Sequence, residues 1–475
     1  MKTQCTPQQL EFQGVGRREV KADFDGGHVT SDAGVLLVRE TDERFNICRR
    51  FVQCFTDYRD QDLVEHTVEE LIRQRAYGLA LGYEDLNDHD DLARDPLLAA
   101  AAGKVDPEGR DRKRERDKGR PLASRSTLNR LELTPEEVDW DDPKKRYWKI
   151  VHDAEKIEDF FVTLFLEGHG QEPEEIILDF DPTDIVLHGE QEGRFFHGYY
   201  GDYCYLPMYV FCGDHLLAAR LRTSNRDASD GATELLQWLV QRIRAQWPNV
   251  GIIARGDSAF ARDDLMNYCE ATANLYYIFG LAKNARLHRA IRKHTAKAKG
   301  LYEETGQAAR VYTEFRYRTL DSWSRPRRVI AKAEHLQKGP NPRFVVTNLP
   351  GHEVQSQQLY EDGYCPRGDM ENRIKEQQLD LFADRTSTHT FRANQLRLYL
   401  SSLAYVLVST LRRVGLKGTE MAKATCGTIR VRLLKIGAWV KVSVRRVMVH
   451  LASACPYQKV FRQALQNVRS YPLRC

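Results

Sequence analysis

The chain has 475 residues, of which 42% are apolar, and its charged groups nearly balance to a net charge of +4. That length is enough for about three domains, and the composition is typical of a globular protein with a buried core. The longest apolar stretch, 398–411, contains several hydroxyl side chains and is too short to span a bilayer, and the N-terminus lacks the apolar core of a signal peptide. The ten cysteines are scattered without a Cys-x-x-Cys pair, which indicates free thiols rather than a zinc site. These features predict a cytoplasmic protein without a membrane partner.

Basic residues are concentrated in two segments of this nearly neutral chain. From Leu411 to Cys475 there are 14 Lys and Arg against one acid, Glu420, and from Arg110 to Arg130 there are nine against three acids. Both segments fit a polyanionic partner, and solvated surface charge is the alternative for either segment alone.

The first 150 residues are predicted to combine a short β region with helices. Residues 10–40 have the pattern of extended runs joined by a turn, and residues 60–100 have apolar positions at helical spacing. The stretch 103–121 is highly charged and poor in apolar groups, which predicts a mobile loop or linker.

A short polar helix is predicted after Pro121. It would present Arg125, Asn129 and Arg130 on its surface, preceded by two helices and a turn. This order resembles a helix-turn-helix, in which the last helix enters a DNA groove. An ordinary capped surface helix fits the same pattern.

From residue 174 the pattern alternates between strands and helices, which predicts an α/β fold with a mixed sheet covered by helices. Strands are predicted at 175–181, 206–212, 216–222, 250–256 and 275–280, and helices at 230–246 and 261–272. Residues 309–348 have an all-β pattern, and long helices are predicted at 367–380 and 391–413.

These patterns divide the chain into five predicted segments. They are an N-terminal region 1–150, the first part of an α/β core 151–285, a β-rich insertion 286–360, the second part of the core 361–413 and a basic C-terminal region 414–475.

Three acidic residues stand where a carboxylate is expected to bind a metal. Asp181 and Asp257 each end an apolar strand, and Glu371 lies in a predicted helix. Asp179 and Asp184 crowd the first strand end, and such mutual repulsion needs a cation to offset it. Converging carboxylates suit Mg²⁺, which prefers oxygen ligands, so we predict a metal site at these strand ends.

Arg367, Glu371 and Lys375 are spaced four residues apart and share one face of the predicted helix. They form either an ordinary salt-bridge ladder on the helix surface or a metal ligand flanked by two phosphate-binding cations.

The motifs around the three acids resemble those of bacterial insertion-sequence transposases with a DDE catalytic domain. The first motif is Asp181-Pro-Thr, the second is Asp257-Ser-Ala-Phe, and the third is Tyr364-x2-Arg367-x3-Glu371. The third motif of that family usually continues to a lysine seven residues after the glutamate, where this chain has Gln378.

The resemblance implies a ribonuclease-H-like core, interrupted by a β insertion before the glutamate helix and preceded by a mostly helical DNA-binding region. Asp181, Asp257 and Glu371 would be the catalytic residues and would hold two Mg²⁺ ions, for which Mn²⁺ could substitute. The N-terminal region would bind the terminal inverted repeats of the element.

A transposase of this kind cleaves the element ends and joins them to target DNA as a homodimer in a synaptic complex. It would lie in a bacterial cytoplasm, associated with the nucleoid when bound to DNA. The basic tail, including Lys435, Lys441, Arg445 and Arg446, would follow the DNA backbone. The alternatives are a DNA-binding protein or a metal-dependent nuclease derived from a transposase, without strand transfer.

Overall fold

The computed structural model describes residues 9–143 and 145–472. The contacts between these residues define two compact units. The first unit draws on the described residues of Met1–Val52, Arg59–Leu131 and Thr410–Cys475, and the second on those of Gln53–Tyr58 and Glu132–Ser409.

The elements are numbered in chain order. The strands are β1 (Leu10–Val15), β2 (Arg18–Ala22), β3 (Val29–Thr30), β4 (Phe55–Asp57), β5 (Ile150–His152), β6 (Glu175–Pro182), β7 (Ile185–Val186), β8 (Phe195–His197), β9 (Asp202–Tyr205), β10 (Met208–Cys212), β11 (His215–Arg220), β12 (Gly251–Gly256), β13 (Leu275–Leu281), β14 (Ala309–Tyr317), β15 (Arg327–Leu336), β16 (Gly339–Pro340), β17 (Arg343–Thr347), β18 (Ala438–Ser443) and β19 (Arg446–Leu451). The helices are α1 (Val35–Phe45), α2 (Ile47–Val52), α3 (Val68–Leu81), α4 (Asp88–Leu92), α5 (Pro96–Ala102), α6 (Arg125–Glu132), α7 (Ala154–Glu167), α8 (Ala232–Arg244), α9 (Asp263–Ala271), α10 (Ala285–Ala290), α11 (Arg292–Thr305), α12 (Ser356–Gln358), α13 (Gly368–Lys375), α14 (Phe391–Thr410), α15 (Cys426–Ile429) and α16 (Gln458–Ser470).

The second unit is built on one large mixed sheet. Its strand order is β11-β10-β6-β12-β13-β17-β15-β14, with β16 on the edge of β15. Strand β6 runs antiparallel to β10 and parallel to β12, and β12 runs parallel to β13. The predicted α/β class with a mixed sheet and flanking helices is therefore confirmed.

The predicted β-rich insertion extends this sheet rather than forming a sheet of its own. Strand β17 pairs with β13, β15 pairs with β17, and β14 pairs with β15. Helices α10 and α11, which the sequence did not predict, precede the all-β stretch 309–348, and α11 packs on β14 and β15.

The alternation of side chains along β6 decides which of them face the core. Ile176, Leu178 and Phe180 belong to the main apolar cluster with residues of α7, α8 and α9, while Ile177 packs against a second cluster on the opposite face. Full burial of one such side chain stabilises the fold by about 1.5–3 kcal/mol. Because side chains alternate between the faces of a strand, Asp179 and Asp181 share the face of Ile177.

The first unit joins the beginning and the end of the chain. Strand β18 pairs with β3, so that Ala438 lies opposite Thr30, and α16 packs against α1. The stretch 103–121 is a loop with one short 3-10 turn, Glu115–Asp117, and two of its basic residues form ion pairs: Lys104 with Glu70 at 2.8 Å and Arg112 with Glu65 at 3.3 Å. Within the described residues, no helix is both long and apolar enough to cross a membrane.

Candidate active site

Asp181 and Asp257 lie at the ends of two neighbouring strands. The parallel register of β6 and β12 places Phe180 opposite Gly256, one residue before each aspartate. The Asp257 carboxylate accepts a hydrogen bond of 2.8 Å from the amide of Ala259 and caps the short turn that follows β12. The two carboxylates lie at the same edge of the sheet because each aspartate comes at the end of an apolar strand and the two strands are parallel.

Asp179 forms an ion pair with Arg255. Its two carboxylate oxygens accept hydrogen bonds of 2.5 and 2.7 Å from Arg255, and both side chains are buried. Burial raises the pKa of Asp179, and the neighbouring guanidinium opposes that rise. The cation that offsets this part of the acidic crowding is therefore an arginine.

Arg255 also connects this pair to the segment before α13, since it donates a 2.6 Å hydrogen bond to the carbonyl of Gly363. The sequence interpretation missed this role. The available signal was an arginine inside the apolar strand 250–256, because a buried charge requires a partner.

Arg367 connects Glu371 to Asp181 at the end of β6. The guanidinium of Arg367 donates to Glu371 at 2.6 Å and lies 3.5 Å from the carboxylate of Asp181. Lys375, one turn further along α13, is exposed. The predicted contact between neighbours on the helix face therefore forms between Arg367 and Glu371, and Arg367 brings that face to Asp181.

Gly280 makes room for this segment. A Cβ atom at Gly280 would lie 2.6 Å from the hydroxyl oxygen of Tyr364 and 3.0 Å from the amide nitrogen of Ser258. A glycine on β13 thus allows the tyrosine of the third motif to approach the turn after Asp257.

The acidic groups at this edge act on one another. The Asp181 side chain is only 15% exposed, and its pKa is raised to about 7. Burial is the largest cause; the charges of Asp257, Glu371 and Asp179 add to it, and Arg367 opposes it. A carboxylate so surrounded gains most from an additional cation.

Gln378 stands at the position of the family's lysine and connects two site segments. Its side-chain amide donates to the Thr183 hydroxyl at 3.3 Å and to the Asp184 carbonyl at 3.1 Å. It therefore joins the π-helical turn Glu376–Asp380 after α13 to the loop that leaves β6.

The residue types fit magnesium, because carboxylate oxygens are the ligands that this ion prefers. Within the ranges that the structure describes, no group of three His, Cys, Asp or Glu side chains is spaced to hold an ion as it stands. Arg367 contacts both Asp181 and Glu371. Binding of an ion by these carboxylates would therefore require the guanidinium to move.

The predicted DNA-contacting residues of the N-terminal region lie on α6. Arg125, Asn129 and Arg130 are exposed, as an interface requires. The side chain of Arg125 pairs with Asp90 at 3.1 Å and donates to Asn87 at 2.9 Å, so a DNA base would have to compete with these two partners.

The structure thus has a mixed sheet with acidic residues at the ends of two adjacent strands, β6 and β12. The family model described as transposase DDE domain group 1 matches residues 12–473, and the chain belongs to that family. Enzymes of this family generally use divalent metal ions.

The chain is similar to a piggyBac transposase solved by cryo-electron microscopy in a synaptic complex with hairpin DNA, with 11% identity and a TM-score of 0.41 over 92% of this chain and 85% of that one. No curated protein matches the chain in sequence.

Proposed function

We propose that the protein is the transposase of an insertion sequence: it binds the terminal inverted repeats, cleaves the element ends and joins them to target DNA. The observation that carries this proposal is the approach of Asp181, Asp257 and Glu371 around Arg367 in a chain of the DDE transposase family.

Asp181, Asp257 and Glu371 would together hold two Mg²⁺ ions. When bound, such a pair of ions, or Mn²⁺ in their place, activates the attacking oxygen and stabilises the leaving oxygen of a phosphodiester. In the first reaction water attacks phosphorus and the bond to the 3′-oxygen breaks. In the second reaction the freed 3′-hydroxyl attacks a target phosphodiester, and a target 3′-oxygen leaves.

Arg367 has a second role in this proposal. Its guanidinium offsets part of the negative charge of Asp181 and Glu371 in the present arrangement. If the carboxylates held metal ions, the same guanidinium would be available to hold a DNA phosphate by two parallel hydrogen bonds. Lys375, exposed on the same helix, would contact a neighbouring phosphate.

Sequence discrimination would come from α6. Arg125, Asn129 and Arg130 carry the side chains that form paired hydrogen bonds with guanine and adenine in the major groove. The protein would act as a homodimer that holds two element ends, in a bacterial cytoplasm and at the nucleoid when bound.

The alternatives are a DNA-binding protein without chemistry and a nuclease that cuts without joining. Retention of all three acids supports an enzyme over the first. The test incubates the protein with Mg²⁺, a labelled element end and a circular target. The proposal expects cleaved ends and then labelled target; cleavage without labelled target would support the nuclease, and binding alone would support the DNA-binding protein.

A further inference from the structure

The β18–β19 hairpin has two chemically different faces. In an antiparallel pair, residues directly opposite each other lie on the same side of the ribbon. One face is aliphatic and consists of Ala438 with Leu451, Val440 with Val449 and Val442 with Val447. The other face carries rings and cations and consists of Trp439 with His450, Lys441 with Met448 and Ser443 with Arg446.

The second face, which we call the ribbon face, is open to solvent. Trp439 is 46% exposed and Met448 is 48% exposed, and the Trp439 ring stacks on His450 with ring centroids 5.1 Å apart. Lys441 and Arg446 are exposed beside them, and Arg445 is exposed in the turn that joins the strands. A grouping of large apolar surface and cations in water is typical of an interaction site.

The charge of this region identifies the kind of partner. The sequence from 421 to 475 contains no Asp or Glu. Among the described residues, Lys441, Arg445 and Arg446 form no ion pair. Lys435, in contrast, pairs with Asp32 at 2.6 Å. It is therefore less available for the DNA backbone contact predicted from the sequence.

The other basic segment is different, because its charges are largely offset by nearby acids. Arg112 pairs with Glu65, Lys118 with Glu115 and Arg125 with Asp90. Within the described part of the chain, exposed positive charge without an ion pair is therefore found in the C-terminal segment, where Lys441, Arg445 and Arg446 lie close together on the ribbon face and its turn, and Lys417, Lys459 and Arg462 lie elsewhere in that segment.

We propose that the β18–β19 hairpin binds duplex DNA as a two-stranded ribbon that lies in a groove. Strands of six residues reach about 20 Å, and the major groove, about 12 Å wide, admits such a ribbon. Lys441, Arg445 and Arg446 would contact phosphates, and Trp439 would pack on sugars. Contacts of this kind hold DNA without selecting its sequence.

This inference rests on the proposed function and assigns its sequence-independent affinity to one surface. The test compares the full chain with the triple variant Lys441→Gln, Arg445→Gln and Arg446→Gln. The matched control is Lys417→Gln, Lys459→Gln and Arg462→Gln, which removes the same charge from exposed positions of the same C-terminal segment. Binding to a duplex unrelated to the element is measured in EDTA from low to high salt.

The ribbon variant is expected to bind at least about tenfold more weakly and to lower the slope of log affinity against log salt by about 2.7, since each phosphate contact contributes about 0.9. The control is expected to keep most of the wild-type slope. Trp439→Ala is expected to weaken binding about fivefold at an unchanged slope, because it removes packing and no charge.

An unchanged slope in the ribbon variant, or an equal loss in the control, would overturn the proposal. So would a ribbon variant that binds DNA normally but no longer associates with a second copy in light scattering, because the face would then be a contact between copies. Circular dichroism verifies that each variant is folded. If the triple variant is not, each single charge variant is expected to lower the slope by about 0.9, and an unchanged slope in all three would overturn the proposal. Since these measurements contain no metal, their result is independent of whether the protein cleaves DNA.

Discussion

The Asp179–Arg255 pair offers the sharpest test of how the site is built. Replacing Arg255 with methionine would keep the length of the side chain but leave the Asp179 charge buried without a partner. Removing one partner of a buried pair costs about 3–5 kcal/mol, and the Gly363 carbonyl would lose a hydrogen bond of about 1 kcal/mol. An exposed pair would cost at most about 1 kcal/mol, so the magnitude separates the two cases.

The assay is urea unfolding of the purified chain, with amide exchange followed in β6. Arg262→Met is the matched control, because Arg262 pairs with Asp227 while both side chains are about half exposed. The double variant Asp179→Leu with Arg255→Met should recover most of the lost free energy, since two apolar side chains replace the pair. A loss below about 1 kcal/mol for Arg255→Met, or a double variant as unstable as the single one, would refute this account of Asp179.

Three further predictions concern pH, metal and sequence discrimination. Burial and the nearby Arg392 lower the pKa of His152 to about 3, so the folded state disfavours the protonated imidazole. The contribution of neutral His152 to the free energy of unfolding is therefore complete above the unfolded pKa of about 6.5 and is lost as the pH falls towards about 3. His152→Phe keeps a ring between Phe55 and Tyr399 but has no proton to gain. In urea unfolding, its loss of unfolding free energy between pH 7 and pH 5 should therefore be about 2 kcal/mol smaller than that of the wild type, and an equal loss would contradict this. Cleavage of a labelled end should require Mg²⁺ or Mn²⁺, fail with Ca²⁺ and stop in EDTA, and full activity in EDTA would exclude the metal mechanism. Arg125→Ala and Asn129→Ala should lower the ratio of end binding to random-DNA binding in competition assays, and an unchanged ratio would remove α6 from sequence recognition.

Much of the sheet could be predicted because its strands are apolar runs between polar turns. The predicted 175–181, 250–256 and 275–280 agree within one residue with β6, β12 and β13. Local periodicity contains this information directly.

The pairing of distant segments could not be predicted in the same way. The sequence from 309 to 348 indicates strands, but nothing local shows that β17 pairs with β13 and so extends the central sheet. The union of β3 with β18 in one unit is a contact between opposite ends of the chain. Such contacts depend on the packing of the whole fold rather than on a local pattern.

In the candidate site, too, some residues could be predicted from local sequence and others could not. Asp181 and Asp257 could be located from strand ends, and Glu371 from its motif. The partner of Asp179 could not be predicted, because the sequence does not distinguish the three acids within residues 179–184. Only the structure shows that Arg255 forms an ion pair with Asp179. The assignment of Asp181, Asp257 and Glu371 as catalytic residues remains a prediction.

The most direct test of that assignment is cleavage of a labelled element end in Mg²⁺ by Asp181→Ala, Asp257→Ala and Glu371→Ala. Asp369→Ala is the matched control, an exposed acid on the same helix as Glu371. Each of the three variants is expected to lose cleavage while it still binds the end, and the control is expected to cleave like the wild type. Near wild-type cleavage by any one of the three would remove that residue from the site and contradict the account.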